Sequence, residues 1–188
     1  MLMSVLNDLM IYLLPLFLAM GYFSVSLSNS RGGQTLKPGT PMKASVIFAL
    51  SSFLLLLAGF YAAGLLDKYH DDGETWVSPA MLVLIAVRVI FNGWRKKSDV
   101  RVFDIEQVSV IFAMAIALGI NNIFAGVALR FMNFAFSRVG LILALMVWLF
   151  SFSGLLYGNQ FKAGFGRIVE MVAGIGLLVL AVAAFYAG

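Results

Sequence analysis

Six apolar runs, at about 9–28, 44–66, 76–94, 106–129, 139–157 and 168–187, make up most of the chain, with polar stretches between them. Each run approaches the ~20 apolar residues that an α-helix needs to cross the hydrocarbon core of a bilayer. Backbone N–H and C=O groups find no water in lipid, so segments of this kind must close their own hydrogen bonds and are expected to be helices. The separators support the division. Residues 29–43 carry the helix breakers Gly32, Gly33, Pro38, Gly39 and Pro41. Residues 67–75 form a polar patch that includes Asp67, His70, Asp71, Asp72 and Glu74, and Trp76 follows at what should be headgroup level. Residues 95–105 hold Arg95, Lys96, Lys97 and Arg101, and short turns near 130–138 and 158–167 complete the set. The pattern predicts an all-α integral membrane protein, a single transmembrane domain spanning 1–188.

Composition moves the picture further from a soluble protein. The chain is 62% hydrophobic and only 12% charged, where a soluble domain carries about a quarter charged residues. Its mean hydropathy is +0.97. There is no cysteine and a single histidine, His70, which excludes a disulfide framework, a thiolate metal site and a histidine cluster. The first apolar run lacks a basic leader and a small-residue cleavage motif, so it is read as a retained helix.

Charge sets an expected orientation. Arg31, Lys37, Lys43, Arg95, Lys96, Lys97, Arg101, Lys162 and Arg167 fall in the loops of one side, against Lys68, Arg130 and Arg138 on the other. Basic loops stay in the cytoplasm, so both termini should face outward. The pI of about 9.5 follows from these loops and gives no reason to expect a nucleic-acid partner. The long basic loop divides the chain into halves of about 1–100 and 101–188, each with three helices. An odd number of helices per half makes the halves opposite in topology, the inverted-repeat architecture of many transporters, with the site near the midplane between the repeats.

Polar groups inside the runs are the candidate chemistry, because such groups are costly in lipid and mark pathways, helix contacts or partners. Asn121 and Asn122 interrupt the fourth run. They are expected either to line a substrate path or to make interhelical hydrogen bonds. Gly21, Ser24 and Ser28 share a face of the first run, and Ser51 and Ser52 lie in the second. Arg88 and Asn92, four residues apart, share a face of the third. Arg88 is expected either to extend its stem to the basic interface or to act as an internal cation that repels metal ions or attracts an anion. Gly126, Gly154, Gly158 and Gly174 are expected at close helix–helix contacts, and Glu170 near the start of the sixth run is favoured by the helix dipole. None of the nine Asp and Glu residues falls near the middle of a run. No nucleophile–base pair, paired carboxylates, phosphate loop or metal-ligand spacing appears, so neither an enzyme nor a cofactor is expected.

The order of these pieces resembles the small manganese-efflux-pump family of the lysine-exporter-like superfamily, over nearly the whole chain. The stretches that carry the resemblance are Met20 to Ser26, Arg88-Val89-Ile90-Phe91-Asn92-Gly93-Trp94-Arg95, Asn121 to Gly126, and the C-terminal series Gly154, Gly158, Gly166, Arg167, Glu170 and Gly174. The resemblance implies membrane acids at four positions that are neutral here: Gly21, Ser52, Asn92 and Asn121. Arg88 and Glu170 match the family pattern. Mn²⁺ is a hard cation that prefers carboxylate, carbonyl and water oxygens, and amides and hydroxyls supply dipoles without charge. The candidate path is therefore Gly21, Ser52, Arg88, Asn92, Asn121 and Asn122, with no metal site expected. Three functions follow. The first expectation is a non-transporting accessory subunit of the bacterial-type inner membrane that binds a membrane-protein partner or a second copy. The alternatives are a transporter of a neutral or zwitterionic solute, and residual manganese efflux.

Overall fold

The computed structural model describes residues 2–30, 37, 39–66, 74–95, 105, 107–132, 134–162 and 164–187. The polar patch at 67–73 and the basic segment at 96–104 lie outside the described residues. Six long helices follow the six apolar runs: α1 (Leu2–Ser30), α2 (Thr40–Leu66), α3 (Glu74–Arg95), α4 (Val108–Phe131), α5 (Phe136–Tyr157) and α6 (Phe165–Ala187), with one 3₁₀ turn at Gly158–Gln160. All six are long and apolar enough to cross a membrane, and no strand occurs among the described residues.

All the helices but α4 are longer than the apolar runs that predict them, and α4 matches its run in length but lies two residues later. α1 continues through Asn7 and Asp8 to Leu2, because a helix that leaves the hydrocarbon can carry polar residues without breaking. α6 begins at Phe165 rather than near 168, where Gly164, at φ +91, turns the chain in. Its carbonyl accepts the N–H groups of Arg167 at 3.0 Å and Ile168 at 3.3 Å. Gly39, at φ +96, precedes α2 in the same way, and only glycine takes this left-handed conformation without steric penalty.

The helices form a closed ring. α1 packs on α5 and α6, α2 on α4 and α5, and α3 on α4 and α6, while α1 and α4 also touch across the ring. Exchanging α1 with α4, α2 with α5 and α3 with α6 maps these pairings onto themselves.

Close approaches join the ring. A Cβ on Gly126 or Gly59 would collide with the facing backbone carbonyl, that of Leu56 or Ile123, across the α2–α4 crossing. A Cβ on Gly154 would lie 2.8 Å from the Ser26 Cβ, and one on Gly158 2.6 Å from the Ser30 Cβ, across α1–α5. At Gly174 it would lie 3.2 Å from the Ala86 carbonyl oxygen across α3–α6. Small residues at these places let backbones approach, which is how helices associate where the solvent is as apolar as the side chains.

The outer surface suits lipid. Large apolar side chains such as Leu54, Tyr61, Leu65, Leu141, Leu145 and Val179 are exposed, where soluble monomers rarely leave broad apolar surface open. Trp76 and Trp94, at opposite ends of α3, are 66% and 70% exposed. At about 1.5 Å per residue they stand ~27 Å apart along the axis, close to the ~30 Å thickness of the hydrocarbon core. They fit the two aromatic belts at the interfaces. The protein is a multi-pass membrane protein.

Candidate functional site

Where α1 crosses α4, the ring encloses a small cavity of about 20 Å³, lined by Phe17, Leu18, Gly21, Tyr22, Val89, Leu118, Asn121 and Asn122. That is room for one water, which needs roughly 10–15 Å³. The cavity exists because α1 offers no side chain at Gly21, where nothing lies within 4 Å of a built Cβ. α4 supplies the polar wall. Asn122 is 1% exposed, and its Nδ2 donates to the Tyr22 hydroxyl at 2.9 Å, linking α4 to α1. Its Oδ1 is buried without a hydrogen-bond partner. A buried acceptor left unmatched costs about 1–3 kcal/mol, so Oδ1 calls for a donor, which either an occupant or, with the amide turned, the Tyr22 hydroxyl can supply.

Asn121 belongs to a second contact. Arg88 on α3 donates from Nη1 to Asn121 Oδ1 at 3.0 Å. Arg88 lies six residues before Trp94, ~9 Å inward at about 1.5 Å per residue, and it is half-buried. Its guanidinium is therefore turned to a neutral amide inside the span rather than extended to the interface. Among the described residues no carboxylate pairs with it.

The remaining sequence candidates lie elsewhere. Ser52 is buried in α2, and its hydroxyl donates to the Ala49 carbonyl of its own helix at 2.8 Å. Asn92 is exposed on α3. Neither lines the cavity: of the six candidates, Gly21, Asn121 and Asn122 line it and Arg88 adjoins it through Asn121. The reason is rotational: residues matched by position along a helix need not face the same way once the helix packs. Glu170 is 7% exposed on α6, and its Cβ would lie 3.3 Å from a Cβ on Gly93. Nearby, the Ser24 hydroxyl donates to the Gly166 carbonyl at 2.8 Å, joining α1 to α6. Tyr22, buried and bonded to Asn122, lines the same cavity and is not among the residues the sequence singles out. Its only signal is that a buried tyrosine hydroxyl requires a polar partner.

Chemically, the site offers two amides, a phenol and a nearby fixed positive charge. Among the described residues no group of three or more His, Cys, Asp or Glu side chains could hold a metal ion.

Comparison with known proteins places the chain. The family model described as "Putative manganese efflux pump" matches residues 35–185. Relatives carrying that name include one from Crocosphaera subtropica, 24% identical over 167 residues that cover 89% of each chain. One from Methanosarcina mazei is 25% identical over 171 residues, 91% of each chain. One from Bifidobacterium longum subsp. infantis is 24% identical over 174 residues, 90% of this chain and 89% of the relative. No solved structure matches. With a family match that takes in all of α2 and nearly all of the chain beyond it, and relatives that align over about nine-tenths of their own length, this chain belongs to the manganese efflux pump family.

Proposed function

We propose that this protein is an exporter-type transporter of the cytoplasmic membrane that passes a small solute through the α1–α4 crossing, and that the solute is not a bare divalent cation. The observation that carries this reading is the cavity at Gly21, where two amides and a tyrosine meet and Arg88 stands behind Asn121. A divalent ion held ~6 Å from the guanidinium would be repelled by on the order of 5 kcal/mol at an effective dielectric of ~20. No carboxylate at Gly21 or Asn121 offsets that repulsion, and dehydrating a hard cation in such a place requires compensating charge. Neutral amides also take up and release no protons. The halves about 1–100 and 101–188 are proposed to be inverted repeats. The support is the pairing pattern, which survives the exchange of α1–α3 with α4–α6, and the site's position where α1 meets α4.

A second reading is manganese efflux itself. It is favoured by the family match over residues 35–185 and by the name that the relatives carry. The accessory-subunit expectation draws no support from either, and a subunit that only packs has no need of a polar cavity at its centre. Expression in cells that lack their own manganese exporter separates the two transport readings. The proposed one predicts no gain in manganese tolerance at an expression level where a family member with all four acids protects. Full protection by the wild-type chain would establish the second.

A further inference from the structure

We infer that the Arg88–Asn121 pair and the adjoining cavity form a binding site for a small monovalent inorganic anion that enters along α3. This rests on reading the cavity as a solute site. Arg88, Asn92 and Arg95 fall at i, i+4 and i+7, one face of α3 by helical spacing. Exposure falls along that face, from Arg95 and Asn92, which are exposed, to Arg88, which is half-buried, and Asn122 on α4, in the cavity wall, is 1% exposed. The stripe holds two positive charges and an amide and no acid, and the neighbouring residue Val89 is part of the cavity wall.

A guanidinium within a bilayer span is retained only against a substantial desolvation penalty. Its hydrogen bond goes to a neutral amide, which shares the charge but does not cancel it. That leaves the site one negative charge short. The amides are suited to completing an anion shell. Because Asn121 Oδ1 accepts from Arg88, its two N–H donors are left for another partner. Asn122 can turn its amide, so that Tyr22 donates to Oδ1 and Nδ2 enters the cavity as a donor. The volume of about 20 Å³ fits a single small ion such as chloride and excludes organic anions in this conformation.

The same chemistry is available from a lipid phosphate at the interface, so the test separates the two. Full-length protein is purified in detergent and titrated with chloride, and in parallel with nitrate, at constant ionic strength against gluconate. Binding is read by calorimetry and by the unfolding temperature. The inference predicts saturable chloride binding that weakens at least about tenfold in Arg88→Gln and in Asn121→Asp, whose new carboxylate supplies the missing charge internally. Leu141→Ala, on the lipid face, should bind as wild type. Arg88→Lys keeps the charge and should retain part of the affinity, which guards against a folding defect in Arg88→Gln. Absence of saturable chloride or nitrate binding in folded wild-type protein overturns the inference. So does equal binding by Arg88→Gln. A site filled instead by phosphatidylglycerol, with chloride binding abolished in phosphatidylglycerol nanodiscs and intact in phosphatidylcholine ones, also overturns it. The manganese-tolerance assay decides the transport reading separately, so either can fail alone.

Discussion

Gly21 leaves open the space that a side chain would fill, since nothing lies within 4 Å of a Cβ built there. Filling that space should be harmless to the fold. Glycine inside a helix is about 1 kcal/mol less favourable than alanine, so Gly21→Ala is expected to hold or raise the unfolding temperature in detergent while closing the cavity. A clear loss of stability would mean that the space is needed by the fold itself. Tyr22 and Asn122 make the opposite case. Tyr22→Phe strips the Asn122 amide of its partner and should destabilise by about 1 kcal/mol, in line with interhelical hydrogen bonds in membranes. These residues differ in how far the sequence reveals them. Asn121 and Asn122 stand out because polar side chains are rare in an apolar run. Tyr22 does not, because an aromatic in such a run reads equally well as a packing or lipid-facing residue until its hydroxyl is placed against Asn122.

At the scale of helices, bilayer thickness makes the sequence legible. Six runs of the right length become α1 to α6, and Trp76 and Trp94 fall where the two interfaces should be. What the spacing does not contain is how each helix is rotated against its neighbours. Asn92 and Ser52 are candidates by their place along the chain, yet one is exposed and the other bonds back to Ala49 in its own helix. The glycines are more reliable guides, because a close crossing needs a missing Cβ wherever it occurs. Gly126→Ala would drive a methyl group into the Leu56 carbonyl on α2. Overpacking of this kind costs about 1–3 kcal/mol, so thermal unfolding should show a marked loss at Gly126→Ala beside the neutral Gly21→Ala. Equal behaviour of the two would contradict the α2–α4 crossing described here.

For the whole molecule, the absence of cysteine makes orientation measurable with single introduced cysteines. If the basic loops are cytoplasmic, Ala135→Cys in the α4–α5 connection should react with a membrane-impermeant maleimide in intact cells. Lys162→Cys, between α5 and α6, should react only after the membrane is opened. The reverse pattern would invert the proposed topology. The cavity wall where α1 meets α4 carries two amides and a phenol and no carboxylate. The most direct test is a titration of purified protein with Mn²⁺, followed by calorimetry or electron paramagnetic resonance, for wild type and for Gly21→Asp/Asn121→Asp. Wild type should show no saturable micromolar binding, and the double variant should bind at least about tenfold tighter, a gain of ~1.4 kcal/mol or more. Saturable micromolar Mn²⁺ binding by the wild-type chain, lost on Asn121→Ala, would contradict it.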